Sequence, residues 1–521
     1  MLRSLGWLFL LGSLCGVAGE IFALELPTVR FPFNLSRELN VPSLGWIATS
    51  GAFLVGIFLL TKFRRGFVFT PITERRLQRF RSIRRGRVSL IIIILLSAVA
   101  ALDHVLVGNE ALAVKYQGNF YFPAFTRMVE KGELFGITGD ASTAPAQYRS
   151  LREEFRGSDE GDWVLMPLVP YAPTGDTVSA TSSSMTLRDG LLVQKGTPFS
   201  GLAATIYTLR EPERMHLRHR YRNGLRDGPA EGWDTEGNRV YGITYRAGKP
   251  VVDSERWNGH GSLEDFLALP SIGPRKIHYP PAPPSRDAGQ FHLLGTTSRG
   301  YDVLAYVFGG LQVNFQAALF YIPLVYLIGV TVGLLMGYFG GAFDIVVQRL
   351  IEIFSNIPFL FVVMIASTSV PERLKETAGL WIILIILLVF GWMGMTYFMR
   401  TAALKEKARD YIASSRIIGS STPRILFKHL LPNSVAIVVT LIPFSVSGLV
   451  LSLTSLDYLG FGLPPKYATW GQLLRDGLEN LSSPWLVTSS FLCLVSLLVL
   501  ITFIGEAVRE AFDPKKFSYY R

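Results

Sequence analysis

Cysteine is almost missing from this chain. Cys15 and Cys493 are the two present in 521 residues, and both lie inside apolar stretches, which leaves no basis for a disulfide framework. Charge is sparse too, at 17% of residues. No glycine-rich loop ends in Gly-Lys-Ser or Gly-Lys-Thr, so the sequence offers no cradle for a nucleotide phosphate. No Ser/His/Asp arrangement stands out. His216 and His219 have no acid or cysteine at a metal-ligand spacing and read as part of a solvated basic face. The expectation is a chain without catalytic residues, without a metal and without a cofactor of its own.

What is present is apolar. Hydrophobic residues make up 49% of the chain, and the mean hydropathy is +0.32. That is too apolar for a soluble protein and too charged for membrane spans alone, so a membrane protein with a sizeable soluble part is expected. The formal net charge of +11 points to an anionic partner. The basic residues cluster beside apolar runs, which favours membrane lipid over nucleic acid.

The runs set the organisation. Residues 4–24 are a signal peptide or a first span, and 44–61 a second apolar segment; together they form an amino-terminal section, 1–62. Between Lys62 and Arg87 there are ten Lys or Arg and one acid, Glu74, so 63–87 is expected in the cytoplasm. Residues 88–107 span, and 108–300 form a Gly-, Pro- and Tyr-rich domain on the outer side. The remainder, 301–521, alternates spans and turns. One span covers 313–337, ending in a tight turn at Gly337-Tyr338-Phe339-Gly340-Gly341. The next runs through Ile365 with a kink at Pro358, and 381–399 has Gly391 and Gly394 as close-packing sites. Residues 434–455 and 487–504 complete the set. Ser445, Ser447, Ser452 and Thr454 give 434–455 a polar face that either lines a translocation path or bonds across helices.

Within the outer domain, Asn223-Gly224 and Asp227-Gly228 lie among aromatic residues and signal hairpins. Tyr221-Arg222-Asn223-Gly224 restarts as Tyr245-Arg246-Ala247-Gly248, 24 residues later. Residues 190–262 therefore read as a β-rich insertion of stacked hairpins, similar to MORN repeats.

The most informative stretch is Arg409 to Asn433, a basic segment between two apolar runs and hence cytoplasmic. It reads as two short helices. Asp410 caps the first and Gly419 ends it with a left-handed residue. Thr422 caps the second, with Pro423 at its first position, and Pro432 ends it.

Here a resemblance appears. Asp410-Tyr411-Ile412, Ser414-Ser415-Arg416, Gly419 and His429-Leu430-Leu431-Pro432-Asn433 resemble the coupling loop of ABC-importer permeases. Ala413-Ser414-Ser415 stands where that family has Glu-Ala-Ala. Asn109 to Pro123, Trp163-Val164-Leu165, Leu456 to Pro464 and Gly505 to Pro514 are similar to the Yej-type oligopeptide and microcin C permeases within the peptide group. The resemblance covers about 80–190 and 283–521. Thr297, Tyr301, Tyr306 and Gln312 stand where the family carries charges.

The resemblance implies an all-α polytopic membrane protein with the type I ABC importer permease fold, about eight transmembrane helices including two extra at the amino end, and an extracytoplasmic β-rich insertion. It implies an inner-membrane permease subunit that moves peptides by alternating access. Asp410, Tyr411, Ala413, Ser414, Ser415, Arg416, Gly419, His429 and Pro432, within a loop at 401–433, would meet an ABC ATPase subunit that hydrolyses ATP. A second permease subunit and an extracytoplasmic substrate-binding protein would complete the assembly. Two readings compete: a nickel or opine permease of the same superfamily, and an envelope receptor anchored by the spans.

Overall fold

The computed structural model describes residues 2–21, 42–62, 71–126, 129–137, 142–157, 161–194, 196–208, 211–287 and 290–512. Outside them lie residues 22–24 of the first apolar stretch, 63–70 of the basic segment, and Asp513-Pro514 of the carboxy-terminal pattern. The chain divides into two compact units. One is Met1–Pro170, Val307–Gln472 and Ser490–Arg521; the other is Tyr171–Tyr306 and Leu473–Ser489.

The first unit opens with helices α1 (Leu2–Ile21), α2 (Pro42–Lys62), α3 (Pro71–Ser82) and α4 (Arg84–Ala101). A three-stranded antiparallel sheet follows, built from β1 (Ala113–Tyr116), β2 (Asn119–Tyr121) and β3 (Trp163–Leu165) in the order β2-β1-β3 and backed by α5 (Tyr148–Gly157). Then come α6 (Val303–Phe339), α7 (Gly341–Ser355), α8 (Phe359–Ser369), α9 (Glu372–Lys407), α10 (Asp410–Ile417), α11 (Leu431–Leu459), α12 (Trp470–Glu479) and α13 (Pro484–Phe512), of which the start of α6, most of α12 and the start of α13 count with the second unit. Among the described residues, four helical stretches are long and apolar enough to cross a membrane: α6, α9, Thr422–Leu459 and α13. The pair α7 and α8, bent by 78°, is a fifth if it counts as one broken span. The bend is more than the expected kink. Pro358 lacks an N–H and pushes Ile357 away from helical geometry, and Asn356 Nδ2 donates to the Glu352 carbonyl at 2.8 Å, closing off the helix end.

Close packing in this unit centres on three glycines of α6, four residues apart. A Cβ at Gly329 would lie 2.8 Å from the Trp392 carbonyl oxygen, one at Gly333 2.6 Å from the Thr396 oxygen, and one at Gly337 2.7 Å from the Arg400 oxygen. The α6 and α9 backbones therefore touch along two helical turns, the arrangement that small residues permit in membranes. Thr396, buried, donates from Oγ1 to the Gly329 carbonyl at 3.3 Å. Two expectations are corrected. Gly394 has nothing within 4 Å of its would-be Cβ, so it is not a packing site. Gly337 belongs to the helix, and the turn starts at Gly340 and Gly341, both at positive φ.

The second unit holds an antiparallel sheet. Its strands are β4 (Thr181–Ser184), β8 (Gly201–Ile206), β9 (Met215–Arg222), β10 (Leu225–Trp233), β11 (Arg239–Arg246), β12 (Lys249–Pro250), β13 (Arg256–Trp257) and β14 (Ile272–His278); β5 (Thr186–Arg188), β6 (Leu191–Gln194) and β7 (Thr197–Pro198) form a separate three-stranded sheet. The order is β12-β11-β10-β9-β8-β14-β4, with β13 on β11. The hairpins are continuous within one sheet, not stacked modules. The sheet also takes in β4 and β14, beyond the expected 190–262. Asn223-Gly224 and Ala247-Gly248, 24 residues apart, are both turns at positive φ. Asp227-Gly228 is no turn: it lies within β10, at a register shift where Gly228 has φ 117°.

The histidine pair is likewise inside. His216 is buried, with Nε2 2.9 Å from the Phe266 carbonyl oxygen. His219, buried too, sits between the Tyr221 and Tyr245 rings. The alternation of β9 turns His219 to the side of the sheet where Tyr241, Ile243 and Phe266 form the core, so these are not solvated residues. Cys15, although inside an apolar stretch, is exposed in the single chain.

Two outcomes follow. Gly333→Leu is expected to abolish the packed membrane unit, because its nearest obstacles are the Thr396 oxygen, the Met399 Cβ and the Arg400 nitrogen, atoms that cannot move without the α9 backbone, whereas Gly448→Ala meets open space and is expected to be silent. Size-exclusion profiles of detergent-purified protein read both, and a monodisperse Gly333→Leu would refute the contact. The second concerns pH. Burial first, then Arg226 and His216, lowers the His219 pKa from 6.5 to about 4. The unfolded chain therefore takes the proton first. Stability from His219 is whole above pH 6.5 and falls as pH drops toward 4, by roughly 3 kcal/mol over the full window. Hydrogen exchange of β9–β11 amides should show this loss, and a shallower one in His219→Gln; equal slopes would rule it out.

Candidate functional site

The segment between α9 and α11 is built from both ends. Arg409, extended, is the residue before α10, and its Nε lies 3.1 Å from Glu406 Oε1. No side chain caps α10. Asp410 is its first helical residue, not its cap, and its charge there still suits the helix N-terminus. The Tyr411 hydroxyl donates to Glu406 Oε2 at 2.8 Å and accepts from Asn433 Nδ2 at 2.9 Å, tying the end of α9 to the start of α11.

Gly419, at φ 83°, closes α10. Its N–H donates to the Arg416 carbonyl at 2.9 Å, and the Ser420 N–H to that of Ser415 at 3.1 Å, the paired closure in which a left-handed residue satisfies the last carbonyls. The helix is two-sided. Ile412 and Ser415 are buried, Ile412 within the cluster that α6 and α9 build around Val330, Leu334 and Met399. Ala413, Ser414, Ile417 and Ile418 face out, the two isoleucines 86% and 82% exposed. The Arg416 guanidinium carbon stands 4.7 Å from the centre of the Tyr338 ring at the end of α6, with Lys407 Nζ 6.0 Å from the same ring.

The second helix departs from expectation. Ser421, not Thr422, precedes it, and its hydroxyl makes no capping bond. Thr422–Arg424 leads into a π turn, Ile425–Leu430, which carries His429 and runs straight into α11. Pro432 lies in the first turn of α11 and ends nothing. A proline ring clashes with the carbonyl four residues back in an α-helix, and the wider π turn just ahead relieves that clash.

A cavity of about 440 Å³ opens between the helices of the same unit. Tyr321, Phe354, Phe390, Gly391 and Gly394 line it together with Ser445, Gly448 and Ser452 of α11, and among the described residues no charged one does. Ser445 shares a 2.9 Å hydrogen bond with the Tyr326 hydroxyl. The other two polar candidates are elsewhere. Thr454 is buried and donates to the Val450 carbonyl at 2.8 Å, while the Ser447 hydroxyl is buried without a partner among the described residues.

Comparison with known proteins bears on this pairing of loop and spans. Residues 329–518 match the family described as "Binding-protein-dependent transport system inner membrane component". The oligopeptide transport system permease protein OppC of Bacillus subtilis is 30% identical over 236 residues, 45% of this chain and 73% of that protein. This chain belongs to that permease family. Two further relatives are the peptidoglycan transport system permease protein YejE of Agrobacterium fabrum, 28% identical over 86% of this chain and 94% of its own length, and the inner membrane ABC transporter permease protein YejE of Escherichia coli, 39% identical over 45% and 66%. The chain is thus a multi-pass inner-membrane permease.

In this permease, two contacts join residues far apart in the sequence. Arg400 of α9 pairs bidentately with Asp344 of α7, at 2.5 and 2.7 Å. Arg416 meets Tyr338, 78 residues away, and nothing local signals that. The adjacent Ile417-Ile418 in a polar loop was a usable signal for an exposed apolar knob. Two of the uncharged positions noted in the sequence make bonds of their own: Thr297 Oγ1 accepts from the Tyr301 N–H at 3.0 Å, and Gln312 Nε2 donates to the Ala100 carbonyl, 212 residues away, at 3.0 Å.

The cavity wall gives a test. A Cβ at Gly391 would lie 1.9 Å from the Tyr321 hydroxyl oxygen. Gly391→Ala is expected to push that ring aside and cost about 1–3 kcal/mol, with Tyr321→Phe recovering part of it and Gly394→Ala costing nothing. Thermal unfolding of the purified chain separates the three, and equal midpoints for Gly391→Ala and Gly394→Ala would overturn the contact.

Proposed function

We propose that this chain is a permease subunit of an ATP-driven ABC importer that moves peptides or peptide-like compounds across the inner membrane by alternating access. The supporting observation is α10: a short helix between two membrane-long helices, closed by left-handed Gly419, with Ile417 and Ile418 projecting outward. An apolar pair held outward on a helix is suited to a groove on a partner. On this reading the partner is an ABC ATPase subunit. Asp410, Tyr411, Ala413, Ser414, Ser415, Arg416, Gly419, His429 and Pro432 belong to the segment that meets it. ATP is bound and hydrolysed there, and this chain binds no cofactor. The names of the relatives, which speak of peptidoglycan and oligopeptide transport, support a peptide-like substrate.

The remaining assignments belong to the same reading. The fold is the type I importer permease fold with about eight spans, α1 and α2 being the two extra ones. Residues 63–87, 400–433 and 506–521 are cytoplasmic, and 108–300 lie outside. A second permease subunit supplies the other half of the pathway, and a substrate-binding protein delivers substrate. The cavity beside Ser445 and Ser452 belongs to this chain's half of that path. Closure of the ATPase pair moves α10, and Arg416 on Tyr338 with Ile412 in the core carries the movement to α6 and α9.

Ile418→Asp tests this, because an exposed side chain contributes little to the chain's own packing. The variant is expected to insert and purify like the parent, to lose co-purification of the ATPase subunit, and to transport about tenfold less or worse, equivalent to about 1.4 kcal/mol or more. Gly419→Val, a branched residue at positive φ, is expected to do the same through backbone strain. Parental co-purification and transport in Ile418→Asp would refute the docking assignment.

A further inference from the structure

The small sheet that follows α4 has two faces, and one of them is apolar apart from Lys115, unlike the polar face that a water-facing sheet carries. Along β1, Val114 and Tyr116 point inward, toward Phe135, Tyr148, Leu151 and Phe155, and Val164 of β3 joins them. Register puts Lys115 opposite both Phe120 and Trp163, and Ala113 opposite Leu165, on the other face. There Phe120 is 58% exposed, Trp163 42% and Leu165 52%, and Phe122 is exposed as well. The Phe120 and Trp163 rings meet edge to face at 6.3 Å across Lys115. Lys115 makes no ion pair among the described residues.

This face is tied closely to the end of an apolar helix. α4 ends at Ala101, one further turn covers Asp103–Leu106, and Val107 then bridges to Val169, whose N–H donates to the Leu106 carbonyl at 2.9 Å. Leu168, next to that bridge, is 82% exposed. The chain that leaves β3 after Leu165 thus returns, through Leu168, to a point about one helical turn beyond α4.

We propose that this face rests on the lipid headgroup region of the membrane, with Trp163, Phe120, Leu165 and Leu168 in the interfacial layer and the Lys115 ammonium on lipid phosphate. Trp, Phe and Leu on one face, with a lysine in register between two of the rings, are residue types found on surfaces that lie in the membrane interface. A protein partner is the weaker fit, because lysine is depleted from the centres of protein interfaces and here it stands at the centre of the patch. The proposal is independent of the substrate and of the coupling assignment, and it holds for either leaflet.

The test uses the full chain with Cys15→Ser and Cys493→Ser, reconstituted in vesicles of phosphatidylethanolamine and phosphatidylglycerol that contain shallow nitroxide-labelled lipid. Single cysteines at Phe120, Leu165 and Leu168 carry an environment-sensitive fluorophore; Glu154, exposed on α5, is the reference. Each labelled chain is first checked by size exclusion, and the three positions give independent readings. Labels at 120, 165 and 168 are expected to be quenched by the lipid and shielded from aqueous iodide, with the label at 154 the reverse. Adding Lys115→Glu should weaken the lipid quenching at 120 and 165. Iodide access at 165 and 168 equal to that at 154 would refute the proposal. Shielding from iodide without lipid quenching would also refute it, and would assign the face to a protein partner.

Discussion

The contact between α6 and α9 governs the membrane unit. At Gly329, Gly333 and Gly337 the two backbones approach so closely that a single added carbon would meet main-chain oxygen. In lipid there is little hydrophobic force between helices, so packing has to come from such contact and from hydrogen bonds like that of Thr396. Everything C-terminal on α9 inherits the register this contact sets. Arg400 reaches Asp344 of α7, and Ala403 closes on Gly337. The chain then leaves α9 at a defined place to form α10.

That placement explains why so short a helix has a fixed orientation. Eight residues would not hold a helix in water on propensity alone. Ile412 enters the core made by α6 and α9, Tyr411 links Glu406 to Asn433, and Arg416 lies over Tyr338. Three sides are fastened, and the fourth presents Ile417 and Ile418. On the proposed reading, force applied to those two residues acts on a helix already joined to two spans. The π turn that follows merges with α11, so the third attachment is continuous backbone.

Much of this was legible in the sequence, and the boundary has physical causes. The apolar runs located the long helices, and Gly419 was marked as a left-handed stop because few other residues take that conformation at low cost. Pro358 was read as a kink and proved a break, since proline chemistry indicates where a helix is disturbed but not by how much. The glycine stripe could have been found from its spacing of four. An isolated glycine in a span, such as Gly394, looks the same in sequence whether it faces a neighbour or, as here, a cavity. The arginine neighbours of His216 and His219 point to a solvated face, yet both rings are buried. On a strand alternate residues take opposite faces, so a basic neighbour says little about burial.

The Asp227-Gly228 pair shows the limit most clearly. A dipeptide that favours positive φ is compatible both with a two-residue turn and with a bulge inside a long strand. Which one forms depends on the pairing on both sides. Asn223-Gly224 already turns the chain between β9 and β10, and a second reversal four residues later would leave β10 too short to pair with β11. The glycine is therefore absorbed as a bulge. Local chemistry offers the options at such a site, and the strand register chooses between them. The same holds at Pro432, where the residue that would stop an isolated helix is carried into α11 because the preceding turn widens and the apolar run beyond it has to stay helical in the membrane.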